Sequence, residues 1–226
     1  MNRHILDKEC IVCHRTYGMD EVELTCPQCG IEGILDVRYD YEYIRGIFTD
    51  HLKREPRQDI FRYGPLLPLR RGGRIPVIPV GPTPLYKVDR MAKKLGMTSL
   101  YIKDDGRLPT ASFKDRASAI AVARAHELGI SLICAASTGN AAASLAGLTA
   151  PEGITSVIFV PESAPPAKIA QLLTFGAKVF AVRGSYDDAF ELSMLAAKKY
   201  NWYSRSTAVN PLLSEGKKTG ALELLD

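Results

Sequence analysis

The chain has 226 residues, of which 46% are hydrophobic and 24% charged, a composition typical of a globular protein with a substantial core. Its net charge of +4, from 29 basic and 25 acidic residues, is too small to indicate a nucleic-acid partner, although it suits a phosphorylated small ligand. The N-terminus lacks the apolar core of a signal peptide, and no stretch approaches a membrane span, so we expect a cytoplasmic protein with no membrane partner.

Four of the five cysteines lie within the first 29 residues, as two C-x2-C pairs. Two such knuckles can bring four thiolates together around one zinc ion. A pair of disulfides or a redox C-x2-C is the alternative, and a reducing compartment disfavours the first. We therefore predict a zinc-ribbon-like segment over residues 1–38, with a structural zinc site formed by Cys10, Cys13, Cys26 and Cys29.

Residues 39–82 connect this segment to the rest of the chain. YDYEYIRGIF has helical spacing, and the stretch that follows it is rich in proline and glycine. Its apolar residues need cover, so we expect an extended arm that lies over a domain rather than a flexible linker.

From residue 83 onward, strands alternate with helices. The predicted strands are LYKV, SLYIKDD, LICAAS, SVIFVP and KVFAV, several of them apolar throughout. The predicted helices begin at Ser112, after Gly139, at Pro165 and near Asp187. This alternation predicts an α/β fold in which a parallel sheet is covered by helices on both faces. Cys134, inside one apolar strand, is predicted to be a small buried hydrophobe.

The stretch ASFKDR combines a helix start with an unexpected lysine. Ser112 is a good N-cap, and Asp115 completes a capping-box pattern. Lys114 then falls in the first turn, where the helix dipole disfavours an ammonium group. A lysine that must act as a neutral amine or form an imine would benefit from this placement. The alternative is an ordinary surface lysine.

A second candidate site follows the strand LICAA, where the turn STGN leads into an alanine-rich helix. In a parallel sheet such a turn lies at the carboxyl edge, where ligands bind. The free N–H groups at the helix start could hold a carboxylate. An ordinary capped turn is the alternative. The chain contains neither the glycine-rich nucleotide motifs nor the G-x-S-x-G elbow of serine hydrolases.

Taken together, these motifs resemble the fold-type II pyridoxal-phosphate enzymes, and among them most closely the threonine synthases. The resemblance covers nearly the whole chain and is carried by RYGPLLPL, GPTPL, YIKDD, PTASFKDR, STGNAAASLA, VPESAPPAKIAQLLTFGAKV, GSYDDA and NPLLSEGKKT. In many members of that family a four-cysteine segment precedes the enzyme proper. The resemblance implies that residues 83–226 form a fold-type II pyridoxal-phosphate-dependent catalytic region.

The resemblance also implies residue roles. Lys114 would hold pyridoxal 5′-phosphate as an internal aldimine and, once released, act as general acid and base. Asn140 would bind the cofactor's 3′ oxygen, and Phe113 would pack beside the cofactor or in the core. The loop that receives the substrate carboxylate would be shaped by Ser137, Thr138 and Gly139. The implied reaction is that of a carbon–oxygen lyase, which converts O-phosphohomoserine and water to threonine and phosphate.

Two features depart from the family pattern. The family's later glycine-rich loop for the cofactor phosphate does not occur before Asp226, so we expect a truncated chain that alone binds the cofactor weakly and makes no threonine. In addition, Leu212 and Leu213 follow the Asn-Pro pair, where a basic residue for the substrate phosphate is expected. The nearest cations are Arg205, Lys217 and Lys218.

Other functions remain open at this point. One is a different enzyme of the same fold, either a threonine or serine dehydratase or a phosphoserine-using cysteate synthase. Another is a non-catalytic zinc-ribbon protein that binds a partner or nucleic acid. Residues 1–38 hold at least as many acidic as basic residues, which argues against nucleic acid. The sequence also leaves a homodimer open.

Overall fold

The computed structural model describes residues 4–226, and a four-stranded parallel sheet forms its centre. The strand order in this sheet is β8-β7-β6-β9, and every neighbouring pair is parallel. Its strands are β6 (Leu132–Ala136), β7 (Thr155–Pro161), β8 (Lys178–Val182) and β9 (Tyr203–Ser204). A continuously apolar β7, buried from Ser156 to Pro161, is what a sheet covered on both faces requires.

Helices connect these strands and cover the sheet. They are α1 (Tyr41–Arg54), α2 (Asp89–Lys94), α3 (Lys114–Leu128), α4 (Asn140–Thr149), α5 (Pro166–Thr174), α6 (Tyr186–Tyr200), α7 (Leu212–Lys217) and α8 (Thr219–Leu225). The α/β prediction is confirmed. Among residues 4–226 we find no helix with the length and apolar character needed to cross a membrane.

The central helix α3 is buried along most of its length, and alanines supply many of its core positions. Small side chains let neighbouring helices approach closely. A Cβ on Gly216 of α7 would lie 2.3 Å from the Arg116 carbonyl oxygen, so only glycine fits there. Gly129, in the left-handed conformation, ends α3 as the sequence predicts. This packing holds the first turn of α3 rigidly against α7.

The N-terminal segment forms its own three-stranded antiparallel sheet, with strand order β2-β1-β3. The strands are β1 (Ile5–Cys10), β2 (Thr16–Tyr17) and β3 (Leu35–Tyr39). Arg124 of α3, buried and cationic, joins this segment to the core, because its guanidinium donates to Asp20 at 2.9 Å, to Glu23, and to the Met19 carbonyl at 3.2 Å.

The connecting arm lies over the core, as its composition suggests. Its 3-10 helix Ile60–Leu66 buries Ile60 and Tyr63, and Val80 is also fully buried. Two acidic side chains hold the arm's backbone: Glu127 accepts from the Arg70 N–H at 2.5 Å, and Glu152 accepts from the Val77 N–H at 2.5 Å. These contacts satisfy backbone N–H groups that have no helix or sheet partner in the extended arm.

Three local features differ from the sequence expectations. Strands β4 (Leu85–Lys87) and β5 (Tyr101–Lys103) pair antiparallel in a separate two-stranded ribbon rather than joining the parallel sheet. Strand β9 was not expected, because two residues are too short to show a pattern. The capping box at Ser112 does not form, since Asp115 instead accepts from the backbone N–H and hydroxyl of Thr110, at 2.7 and 2.5 Å.

Candidate active site and four-cysteine cluster

Lys114 is the first residue of α3, so the helix begins two residues after the predicted start at Ser112, and Lys114 lies in its first turn as expected. The Ser112 hydroxyl accepts from the Lys114 N–H at 3.1 Å, so it satisfies one of the free donors of the first turn. Lys114 is half-buried, and among residues 4–226 its amine has no hydrogen-bond partner. Phe113, directly before it, is 40% exposed. The amine is therefore available to a ligand rather than committed to the fold.

The 137–140 turn joins β6 to α4 at the carboxyl edge of the sheet. The Ser137 hydroxyl accepts from the Gly139 N–H at 3.2 Å, and no side chain caps the start of α4. A Cβ on Gly139 would meet no atom within 4 Å, so open space lies beside the backbone there. Asn140 is exposed, and its side-chain amide has no hydrogen-bond partner within the described residues. The free backbone donors and the open space suit an anion.

A cavity of about 410 Å³ lies against this turn. Its lining comes from the end of β6, the start of α6 and the loop after β9: Ala135, Ala136, Ser137, Ala141, Tyr186, Asp187, Phe190, Arg205, Ser206, Thr207 and Ala208. Lys114 is linked to it through Arg205, whose guanidinium donates to the Lys114 carbonyl at 3.2 Å. The structure thus brings the start of α3 and the 137–140 turn to one edge of the sheet.

The loop after β9 is the part of this site that sequence reasoning largely missed. The sequence marks Arg205 as a nearby cation but indicates no role for Ser206 or Thr207. Their position follows from β9 pairing with β6, which carries the polar stretch SRST to the same edge as the 137–140 turn. A strand followed at once by polar residues is a usable signal, but a two-residue strand is too short to reveal it.

A second cavity, of about 290 Å³, lies beside Thr83, Lys103 and Glu223. Its charged groups are already paired with one another. Lys103 donates to Glu223 at 2.5 Å, and Arg116 binds both Glu223 and Asp105. This network fixes the first turn of α3 and offers no free charge to a ligand.

The four N-terminal cysteines converge on a common centre. All four sulfurs lie within 4.8 Å of one another, and the Sγ atoms of Cys13 and Cys26 are 3.8 Å apart. Tetrahedral ligands about 2.3 Å from zinc lie about 3.8 Å from each other. All four cysteines are free thiols in the structure, so the disulfide alternative is not formed. The donor set and spacing fit one zinc ion.

The surroundings of the cluster act unequally on its thiols: a hydrogen bond with Cys13, with burial, raises the pKa of Cys29 to about 12, whereas Cys26 is shifted towards the thiolate. A hydrogen bond with the Tyr17 hydroxyl, 3.0 Å from the Cys26 sulfur, lowers the pKa of the Cys26 thiol to about 6. Gly33 closes the cluster, because a Cβ there would lie 2.6 Å from the Cβ of Cys26 and 2.7 Å from that of Cys29. The glycine is therefore required by close packing against two of the four ligands.

The model of a known family, described as pyridoxal-phosphate dependent enzyme, matches residues 78–226 of this chain. The chain belongs to the pyridoxal-phosphate-dependent enzyme family. This confirms the fold-type II expectation and the expected cofactor, pyridoxal phosphate.

Curated relatives extend the likeness of this pyridoxal-phosphate-dependent chain into its N-terminal segment. Threonine synthase of Methanocaldococcus jannaschii is 39% identical over 97% of this chain and 53% of the relative, and that of Methanosarcina acetivorans is 42% identical over 96% and 52%. Threonine synthase of Mycobacterium tuberculosis is 38% identical over 65% of this chain and 41% of the relative. The chain therefore spans about half the length of the first two curated relatives.

Solved structures of the same family agree on the fold. Threonine deaminase isoform 2 from Solanum lycopersicum has a TM-score of 0.61 at 18% identity, over 82% of this chain and 46% of that one. An O-ureido-L-serine synthase has a TM-score of 0.55 at 27% identity, over 65% and 48%. Since lyases, synthases and racemases of this fold all match, the fold alone does not select the reaction.

The residues present fit the family's cofactor. The Lys114 amine and the Asn140 amide, which lack partners among residues 4–226, stand at the starts of neighbouring helices. The Ser144–Ser118 hydrogen bond of 2.7 Å holds these two helices together. Polar side chains without partners at one sheet edge are suited to holding a polar ligand.

Proposed function

We propose that this chain is the N-terminal part of a threonine synthase-type enzyme, which converts O-phosphohomoserine and water to threonine and phosphate. The observation that supports it best is the 39–42% identity to threonine synthases across nearly the whole chain, cysteine segment included. In this reaction the C–O bond at Cγ breaks, phosphate leaves, and water adds at Cβ. The atoms balance without an oxidant or reductant.

Each site residue has a role in this proposal. Lys114 holds the cofactor through Nζ, and the same nitrogen takes a proton from the substrate and returns it. Asn140 binds the cofactor's 3′ oxygen, and Phe113 packs beside it. The substrate carboxylate is received by the turn formed by Ser137, Thr138 and Gly139. Pyridoxal phosphate, when bound, supplies the electron sink that makes loss of the substrate proton feasible.

We further propose the same division of the chain as the sequence suggests. Residues 1–38 are a zinc-ribbon-like segment, residues 39–82 an arm, and residues 83–226 part of the catalytic region. We also propose a cytoplasmic enzyme, with no nucleic-acid partner, that forms a homodimer. Free thiols in a metal-like cluster support the reducing location. Light scattering of the purified protein would test the dimer.

The attachment of the cofactor can be tested on the purified chain. After incubation with pyridoxal phosphate and reduction with borohydride, peptide mass spectrometry should find the label on Lys114, and Lys114→Ala should abolish it. Lys168→Ala, at an exposed lysine on α5, is the matched control. We expect weak binding by residues 1–226 alone, since the family's phosphate loop does not lie among them. A label confined to other lysines would contradict the role of Lys114.

The reaction itself is best tested in a chimera. Residues 1–226 would replace the matching half of the Methanocaldococcus jannaschii threonine synthase, and product analysis would follow incubation with O-phosphohomoserine, threonine or serine. Threonine and phosphate from the first substrate support the proposal, and the chain alone should make neither. A keto acid and ammonia from threonine or serine would instead identify a dehydratase.

A further inference from the structure

Three arginines are buried in the described part of the chain, and one of them differs from the others in its partners. Arg116 is bound by the carboxylates of Asp105 and Glu223, at 2.8 and 2.5 Å. Arg124 is likewise bound by Glu127, at 3.0 Å, and by two acidic residues of the N-terminal segment. Both cations are therefore neutralised within the fold, as buried charges normally are.

Arg205 forms no ion pair of this kind, and the charge of the buried Asp115 offsets only part of what burial costs its guanidinium. Its side chain is 3% exposed, yet its guanidinium meets only neutral acceptors, the Ser118 hydroxyl at 3.0 Å and the Lys114 carbonyl at 3.2 Å. Among residues 4–226 no carboxylate lies within hydrogen-bond distance of it. A buried cation that no carboxylate contacts is costly, so the site favours an anion that arrives with a ligand.

The charge around Arg205 points the same way. Burial lowers the pKa of Arg205 to about 10, whereas hydrogen bonds with carboxylates outweigh burial and raise the pKa of Arg116. The pKa of Lys217 is lowered by burial and then by the nearby positive charges of Lys114 and Arg205. The positive charges of Lys114 and Arg205 thus act on Lys217, while Asp115 is the acidic group that acts on Arg205. Asp187, the acidic residue of the cavity lining, is exposed at the start of α6.

Arg205 lines the cavity and keeps donors without a protein partner. Within residues 4–226 its guanidinium is bonded only through Nε–H and one N–H of Nη2, which leaves the Nη1 donors unbonded. The hydroxyl-bearing residues Ser206, Thr207 and Ser137 line the same space. A guanidinium with adjacent hydroxyls is the donor arrangement that recognises phosphate.

We infer that Arg205, with Ser206 and Thr207, forms an anion subsite that binds the phosphate ester of the amino-acid substrate and selects phosphorylated over unphosphorylated amino acids. This inference rests on the proposed function, and it assigns the substrate phosphate to the loop after β9 rather than to the Leu212–Leu213 position. Arg205 also donates to the Lys114 carbonyl, so the bound phosphate would lie close to the first turn of α3.

Inorganic phosphate binding to the 226-residue chain, measured by titration calorimetry, tests the subsite without cofactor. We expect saturable binding that Arg205→Met weakens at least about tenfold, that Arg205→Lys partly preserves, and that Thr207→Val weakens more mildly. Arg90→Met, at an exposed arginine on α2, should bind as the parent does. Added phosphate should also raise the thermal midpoint of the parent but not that of Arg205→Met. Equal phosphate binding by the parent and Arg205→Met would overturn the inference. If Arg205→Met does not fold, the test passes to Thr207→Val, and phosphate binding by that variant equal to the parent's would overturn the inference.

Further measurements distinguish a substrate phosphate from the cofactor's phosphate. O-phosphohomoserine should compete with inorganic phosphate, whereas homoserine should not. Borohydride labelling of Lys114 by pyridoxal phosphate should be the same in Arg205→Met as in the parent. Loss of that label, together with competition between inorganic phosphate and the cofactor, would assign Arg205 to the cofactor's phosphate and overturn the substrate assignment. If Lys114 is never labelled while phosphate binding still needs Arg205, the proposed function fails and the anion subsite stands.

Discussion

Replacement of Arg116 by methionine should test how strongly the buried charge network holds the start of α3. Arg116 is 0% exposed, and its guanidinium donates to the side chains of Asp105, Glu223, Thr83 and Thr219 at distances between 2.5 and 3.2 Å. Methionine fills most of the volume of the arginine stem but supplies no donor. The change therefore removes the charge while it leaves the packing largely intact.

The expected loss in the free energy of unfolding depends on the partners that Asp105 and Glu223 retain when Arg116 is replaced. Breaking a buried ion pair typically costs about 3–5 kcal/mol, because the remaining charge is left without a partner. Here Glu223 retains Lys103 at 2.5 Å and the Thr83 N–H at 3.0 Å, and Asp105 retains the Thr83 hydroxyl at 2.6 Å. We therefore expect the lower end, about 3 kcal/mol, or a fall of roughly 6–12 °C in Tm.

Chemical and thermal unfolding of the reduced protein measure this loss, with Arg45→Met as the matched control. Arg45 also binds a carboxylate, Glu42 at 2.7 Å, but both side chains are more than 70% exposed, so that loss should stay below about 0.5 kcal/mol. Equal effects of the two substitutions would refute the reasoning. So would full recovery of stability in Arg116→Lys, because an ammonium cannot reproduce the guanidinium's paired donors.

The same network predicts a pH dependence. Burial opposes ionisation of Asp105 and Glu223, but their bonds with Arg116 outweigh it and hold the pKa of each below the usual 3.8 and 4.5. A lowered carboxyl pKa contributes stability that is fully present above the unfolded value and is lost as the pH falls through the folded value. The difference between parent and Arg116→Met should thus be constant near neutral pH and shrink below about pH 4.

Three further predictions concern the segments around the core. Gly33→Ala should weaken zinc binding at least about tenfold in a competition with a chromophoric chelator, because its Cβ would overlap those of Cys26 and Cys29, whereas Gly46→Ala, with no atom near its Cβ, should not. Removal of zinc should speed amide exchange in β1 and β3 but not in β6 and β7, and equal protection with and without metal would rule out a structural ion. Glu152→Gln should cost about 2–3 kcal/mol at neutral pH, as measured by urea unfolding, because the buried carboxylate binds Arg74, His126 and the Val77 N–H, and a loss below about 0.5 kcal/mol would contradict this.

The parts of this structure that the sequence predicts well are those set by local pattern. The apolar strands β6, β7 and β8 and the place of Lys114 in the first turn of α3 follow from periodicity and from local capping, glycine and proline positions. The cysteine cluster follows from spacing alone, since two knuckles can converge on one metal in few ways. In each case the deciding residues lie within a few positions of one another, so no knowledge of distant contacts is needed.

The features that the sequence does not predict depend on contacts that the local pattern does not specify. Ser112 and Asp115 have capping-box spacing, yet Asp115 binds Thr110 instead, because the chain turns back before α3. Strands β4 and β5 have the same appearance as the core strands but pair only with each other. The cavity beside the 137–140 turn needs β9, whose two residues acquire their strand conformation by pairing with β6.

The buried arginines illustrate this limit most directly, and they explain why the site could not be completed from sequence. Arg116 and Arg124 lie eight residues apart on α3, and Arg205 follows a short strand. All three look alike in sequence, as cations among small or polar residues. Arg116 and Arg124 each bind one carboxylate near in sequence, Asp105 and Glu127, and one about a hundred positions away, as the 107- and 101-residue separations of Arg116–Glu223 and Arg124–Glu23 show. Among the described residues no carboxylate bonds to Arg205, and it lines the cavity at the carboxyl edge of the parallel sheet. We infer that this charge, which no carboxylate of the described fold pairs, is the one available to a substrate, and only the contacts of the folded chain distinguish it from the two that hold the fold together.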